Sequence, residues 1–515
     1  MRALSGAAAR LRQWLRGGRG LFLLFLAWPM VLVSTSGPPM ADSVLLAAIR
    51  LVDHGTWTLS DQADPKAVFL TLAHDISVHD GRVYSGVGPG ASVVAAPFYF
   101  VFKPLFSLFD DSIIANRRVA HYYAIYSRAR GEPVSGHFKD MYLLQILLAW
   151  CVVAPLFASF LTRLHRAMTS RGVERTPAAV VVVAIGIGSM ALYYGSMYSR
   201  QALAYLLLWH AILLLVETPA PGRRACVVAG LFCGAAVSID YPAIILAGLF
   251  LLFRLPRMTW PQRTMVLLPV LAVAGLTGLY HAACFGSPLA TPYQHRYWVT
   301  SGILADPVFQ EGAALGLDMP SPGVMLRLCF GLFKGLFIYS PILLPGLVGH
   351  VAGLRSPGGR RLHIFSLLVF LIYLSFNSTL GAHVPNNGEH FWGGLSILWG
   401  PRHLFAVVPF LACGLARLDW RRASVRWVCL GALLASCLFN VLGTMFGPRI
   451  MSTPAFGPEL RFPLRYAFRL FIEQGPRIPI LDCYGVAPLI QTAVILALVL
   501  FSLAVLRETL GETPR

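Results

Sequence analysis

Apolar residues in this chain gather in runs of about 14 to 23, separated by polar stretches often bounded by arginine. The runs lie near 21–37, 141–163, 177–195, 202–218, 225–238, 242–254, 265–284, 336–354, 363–381, 403–418, 427–446 and 486–506. A helix needs about 20 apolar residues to cross a bilayer core. The pattern therefore predicts an all-α polytopic membrane protein with about 12 transmembrane helices. The connections are of two kinds. One kind is short and basic: Arg163 to Arg175, Arg223-Arg224, Arg254 to Arg263, Arg355 to Arg361 and Arg417 to Arg426. The other kind is poorer in lysine and arginine for its length, or long and rich in aromatics, glycine and proline: 38–140, 196–201, 285–335, 382–402 and 447–485. The two kinds alternate, so the basic set and the N-terminus are expected in the cytoplasm. Residues 1–20 then form a basic cytoplasmic segment. Residues 21–515 form a single transmembrane domain whose large first extracytoplasmic loop, 38–140, carries interfacial helices.

Alternation also decides two ambiguous segments. The run 91–109 is apolar enough to cross, but crossing would put every later basic loop on the wrong side. It is read as a helix along the outer interface, interrupted at Lys103-Pro104. The stretch 225–254 has basic loops at both ends, which requires two short spans joined at Ser238-Ile239-Asp240-Tyr241-Pro242. A signal peptide would resemble the first run, but no clear small-x-small cleavage site follows it.

Composition supports this reading. The chain of 515 residues is 56% hydrophobic and 13% charged, with mean hydropathy +0.65, whereas soluble domains carry about 25% charged residues. A soluble nucleic-acid-binding domain and a secreted disulfide scaffold are both excluded. The net charge of +19 does not argue for nucleic acid, because the arginines cluster at the ends of apolar runs. The 9 cysteines show no CxxC or metal-ligand spacing, and no essential disulfide is expected.

Candidate chemistry collects in the external segments. Asp42 follows the first span at a helix start, where it is either an N-cap or a general base toward a hydroxyl. His79-Asp80-Gly81-Arg82-Val83-Tyr84 leads into a glycine-rich stretch ending at Pro97-Phe98-Tyr99. Arg82 and Tyr84 are candidate phosphate ligands there, with His79 and Asp80 beside them. A second cluster joins Trp392-Gly393-Gly394 to Gly400-Pro401-Arg402-His403. Arg402 at a span's outer end is either a snorkelling interfacial residue or a cation for a substrate phosphate. Tyr194 to Arg200 forms a short external turn, and Arg296 follows Phe285-Gly286-Ser287-Pro288 as another span exits. Asp240, an acid near membrane depth, needs a partner or water, and is either a site residue or part of a turn.

In order, these motifs are Asp42; Gly-Arg-Val-Tyr-Ser, Gly-Pro-Gly-Ala-Ser and Pro-Phe-Tyr within 81–99; Phe-Gly-Ser-Pro at 285–288; Gly-Leu-Phe to Tyr-Ser-Pro at 331–341; and Trp-Gly-Gly to Gly-Pro-Arg-His-Leu at 392–404. The set resembles the GT-C superfamily of bacterial membrane glycosyltransferases, near the protein mannosyltransferase and aminoarabinose transferase group. The resemblance spans about 40–410. It implies an inverting transferase that moves a sugar from a polyprenyl-phosphate donor to an acceptor outside the cytoplasmic membrane of a bacterium. By the same resemblance Asp42 is the general base. Arg402 and Arg82 look like the cations that would neutralise the departing phosphate, and His403, Arg296, Tyr84, His79, Asp80 and Trp392 are further candidate donor-phosphate or substrate ligands.

Two features depart from that pattern. Ser43, rather than a second acid, follows Asp42, and 110–140 carries Arg117, Arg118, Arg128, Arg130 and Lys139 on a side expected to be poor in positive charge. With no compact Asp-x-Asp, no divalent metal or other cofactor is expected. The expected partners are the lipid-linked donor, membrane lipids and an acceptor of unspecified class, with no nucleic acid. A lipid-linked oligosaccharide transporter and a non-catalytic membrane scaffold are the competing readings.

Overall fold

The computed structural model describes residues 18–34, 39–60, 75–110, 137–218, 220–295, 319–356, 359–380, 392–393, 399–451 and 461–511, without the side chains of 39–42, 137 and 448–451. The expectations placed on Arg296, on the Asp42 side chain and on most of 110–140 lie outside these residues. The described chain is almost entirely helical; its one sheet is a two-stranded hairpin. Five helices among the described residues are long and apolar enough to cross a membrane: Phe138–Thr169, Trp260–Phe285, Arg360–Thr379, Ala423–Gly447 and Pro488–Gly511. This is the architecture of a helical membrane protein. Shorter apolar helices occupy other predicted runs, including Arg19–Val31, Arg175–Gly186, Arg200–Val216 and Leu343–Gly353.

Large apolar side chains remain exposed on the long helices, among them Leu268, Leu271, Leu276 and Leu279 on Trp260–Phe285 and Leu496, Leu500 and Leu503 on Pro488–Gly511. In water such faces would be costly, so they fit a lipid surround. The first and last described helices pack together, with Trp28 Nε1 donating to Ser502 Oγ at 3.0 Å. Helix Leu343–Gly353 comes very close to the chain over 411–414. A Cβ on Gly346 would strike the Leu411 carbonyl, and one on Gly349 the Gly414 carbonyl. Small residues three apart thus let two backbones touch, as membrane helices commonly do.

The stretch 225–254 breaks where its polar turn predicted, into α1 (Arg223–Ile239) and α2 (Ala243–Arg254), with Asp240 capping the first. The run 91–109 forms one helix, Gly90–Phe106, that continues through Lys103 and Pro104 rather than stopping there. Pro104 lies in the last turn, three residues before the C-cap at Ser107, so its disruption coincides with the end of the helix. Ala91, Ala95, Ala96 and Tyr99 are buried on one face, while Val93, Phe100, Val101 and Leu105 are exposed on the other. The buried face is tied down by polar groups: the Tyr99 hydroxyl meets Asp53 at 3.2 Å and Asp140 at 2.9 Å, and Lys103 pairs with Asp53 at 2.7 Å.

Candidate functional site

Four segments far apart in sequence bring buried charge together at one place. Ser199 caps helix Arg200–Val216, accepting from Ala202 N at 3.2 Å, so Arg200 opens that helix. Its guanidinium lies 3.3 Å from Asp240 Oδ1 through Nε and 3.5 Å from Asp75 Oδ2 through Nη1. All three side chains are almost fully buried, at 4% exposure for Arg200, 7% for Asp75 and 0% for Asp240. Burial pushes the Asp240 carboxyl up, while Arg200 first and Arg402 second pull it back down. One buried cation shared between two carboxylates is a costly arrangement, held only because the partners meet.

Asp75 reaches this point through the hairpin Ile76–His79 and Arg82–Ser85. Gly86 N donates to the Asp75 carbonyl at 2.7 Å, closing the open end of the hairpin. The following glycines press the loop onto the α1–α2 turn. A Cβ on Gly88 would strike the Ser238 carbonyl, and one on Gly90 would lie 2.9 Å from Ile239 N. These glycines fit against Ser238 and Ile239, beside Asp240. Ser43, next to Asp42, lies 3.0 Å from Ser85 through the two hydroxyl oxygens. The start of helix Pro39–His54 is therefore docked on the second strand.

Arg402 follows Gly400, which is in the left-handed region at φ 73°, and opens the turn Arg402–Val407. It is 6% exposed, donates from Nε to His403 Nε2 at 3.1 Å, and acts electrostatically on both Asp240 and Tyr194. Tyr293 hydrogen-bonds Arg200 from the turn Pro292–His295, which Ser77 Oγ anchors by donating to the Pro292 carbonyl at 2.6 Å. The assembled site presents Arg200, Arg402 and His403 beside Asp75, Asp240 and Tyr293. Such a group can hold an anion next to a hydrogen-bond acceptor.

The remaining predicted residues fall elsewhere. Asp80 and Gly81, with φ of 48° and 71°, make the two-residue turn of the hairpin, for which Asp-Gly is a favoured pair. Asp80 and Arg82 are exposed there. His79 lies 3.5 Å from Asp80 and edge-on to His295, with ring centroids 4.6 Å apart. Tyr84 is buried, edge-on to Phe285 at 5.3 Å, and burial pushes its phenol up. Trp392 is buried beneath the Arg327 guanidinium, 4.6 Å from its ring centroid. The Tyr-Ser-Pro motif holds a turn: the Tyr339 hydroxyl donates to the Phe333 carbonyl at 2.7 Å, and Asn440 Nδ2 donates to the Tyr339 carbonyl at 2.8 Å. Among the described residues no group of three or more histidine, cysteine or acidic side chains is placed to hold a metal ion.

The sequence places Arg200 only at the end of an external turn, and offers Asp75 only as an alternative base should Asp42 prove to be a helix cap. Their signal was available, since a charge opening an apolar helix and an acid before a hairpin both need partners. Compared with family models, curated proteins and solved structures, the chain matches none.

Proposed function

We propose that this protein is a membrane glycosyltransferase of the GT-C kind, with about 12 spans in a bacterial cytoplasmic membrane, its N-terminus cytoplasmic and its site outside. It moves a sugar from a polyprenyl-phosphate donor to an acceptor hydroxyl or amine, with inversion. The observation that carries this reading is the convergence of two buried arginines, Arg200 and Arg402, on the buried Asp240. Positive charge already fixed in a water-poor place is what a departing phosphate requires, since no reorganisation is then needed during reaction. Arg402 and His403 are the donor-phosphate ligands in this reading, and Arg82, Arg296 and His79 are proposed to reach the substrate's outer parts, whereas Tyr84 packs against Phe285, Trp392 lies beneath Arg327 and Asp80 forms the hairpin turn. Asp42 is the base, presented by the docked start of helix Pro39–His54.

The chemistry balances without a covalent intermediate. The acceptor oxygen or nitrogen bonds to the anomeric carbon, its proton goes to Asp42, and the sugar–phosphate bond breaks to release polyprenyl phosphate. The test is transfer of radiolabelled sugar from a polyprenyl-phosphate donor pool in membranes, comparing wild type with Asp42→Asn and Arg402→Ala at matched expression. Transfer by wild type, lost in both variants, supports the reading. Transfer unchanged in both variants, or absent from wild type across donor pools, overturns it.

A further inference from the structure

The Phe285-Gly286-Ser287-Pro288 turn fixes the hydrogens of two side chains next to the acid–arginine cluster. Helix Trp260–Phe285 ends at Gly286, in the left-handed region at φ 75°, with Gly286 N bonded back to the Ala282 carbonyl at 3.1 Å. The chain then turns so that the Pro288 carbonyl lies 3.2 Å from His281 Nδ1. A carbonyl only accepts, so His281 carries its hydrogen on Nδ1 and leaves Nε2 bare. His281 Nε2 is 2.7 Å from the Tyr241 hydroxyl, which must therefore donate to it. Tyr241 has one hydrogen, and it is spent on His281.

What remains on Tyr241 is an oxygen that can only accept. Its phenol follows Asp240 in sequence, is half-buried, and feels Tyr293, Arg200 and Asp240 electrostatically. No described group donates to its oxygen. The Tyr293 ring stands edge-on to it at 5.4 Å, and Gly88 leaves its ring room, since a Cβ there would come within 3.3 Å of Tyr241 Cζ. Asp75 and Asp240 are acceptors too, but both are engaged with Arg200.

We infer that Tyr241, held by His281 and the 285–288 turn, is a substrate-positioning residue that accepts a hydrogen bond from a hydroxyl or amine on the sugar or on its acceptor. This rests on the glycosyl-transfer reading for its substrate, but not for its tautomer. It also predicts a pH dependence with a definite sign. A protonated His281 carries hydrogen on Nε2 as well and donates to Tyr241, whose own hydrogen then turns toward the site as a donor. Substrate recognition therefore weakens as pH falls. The other titratable or charged groups around this pair are Tyr280 and Cys284 on the same helix, Asp240 and Arg200 across the turn, and Tyr293 above it.

Two measurements test it. KM for donor and for acceptor, with kcat, are followed across pH for wild type, Tyr241→Phe and His281→Gln. Tyr241→Phe should raise one KM by about tenfold, the worth of one hydrogen bond, with kcat within about twofold. The substrate whose KM moves is the one that bears the hydrogen. His281→Gln, whose amide oxygen still accepts from Tyr241, should keep the neutral-pH KM and lose the acid rise. An unchanged pair of KM values in Tyr241→Phe, or an acid rise that persists in His281→Gln, overturns the inference. Independently of activity, 15N-histidine spectra of the purified protein should show His281, assigned by its loss in His281→Gln, as the Nδ1–H tautomer. An Nε2–H signal overturns it even if transfer is observed. If wild type transfers no sugar, the glycosyltransferase reading fails while the tautomer still decides the hydrogen-bond assignment.

Discussion

Two polar groups of this molecule are each built on an arginine, Arg200 buried and Arg417 exposed, and they follow opposite principles. In the first, Arg200 lies between Asp75 and Asp240, so three formal charges share a space with almost no water. In the second, Arg417 Nε donates to His363 Nε2 at 3.2 Å. His363 Nδ1 in turn faces His350 Nδ1 at 2.9 Å, and His350 Nε2 meets the Phe410 carbonyl. The carbonyl fixes the hydrogen on His350 Nε2, so His363 Nδ1 is the donor between the rings and His363 Nε2 the acceptor from Arg417. Each donor in that chain has one acceptor, and no carboxylate takes part. The second group is a strut joining helices Leu343–Gly353 and Arg360–Thr379 to the turn Gly414–Arg417. Only the first group combines opposite charges with an uncommitted acceptor beside them, which is what a ligand needs.

The comparison breaks if the two groups respond alike to substitution. Arg200→Met strands two buried carboxylates and should cost about 3–5 kcal/mol, read as a fall in the thermal unfolding midpoint in detergent. Adding Asp75→Asn and Asp240→Asn to that variant should recover much of the loss. A triple variant no better than the single one would mean the carboxylates are not held by Arg200. Next in size is His363→Leu, which leaves His350 and Arg417 each short of one partner, at about 1–3 kcal/mol by the same readout. No effect on sugar transfer beyond the loss of folded protein is expected. A selective loss of transfer would make the strut part of the site.

Gly349→Ala tests the close approach beside the strut. Its methyl would meet the Gly414 carbonyl, a backbone atom that cannot swing away, so about 1–3 kcal/mol should be lost. A neutral outcome would show that the two helices can separate there. The smallest effect belongs to the hairpin turn. Asp80→Gly suits the positive φ and should shift stability by no more than about 0.5 kcal/mol, with transfer unchanged. A sharp fall in transfer would return Asp80 to the substrate.

The sequence made the helices legible because each apolar run is its own signal, repeated along the chain. It also made Asp240 and Arg402 legible, as charges out of place among apolar residues. The grouping was not legible, because Asp75 and Arg200 are 125 residues apart and nothing local records their meeting. The glycines of 86–90 show why: they were visible as a turn, but only the fold shows that they fit against Ser238 and Ile239. The Asp-Gly pair at 80–81 was a hairpin signal in plain sight. The same residues also suggest phosphate chemistry, and that competing signal masks the turn.

The contact between Trp28 and Ser502 sets a timetable for assembly. Its partners are 474 residues apart, and a ribosome adds about 5–20 residues each second. Helix Arg19–Val31 is therefore made roughly half a minute to a minute and a half before Ser502 exists. For that interval the Trp28 indole N–H must find another partner, and this seam of the bundle closes only once Ser502 has been made.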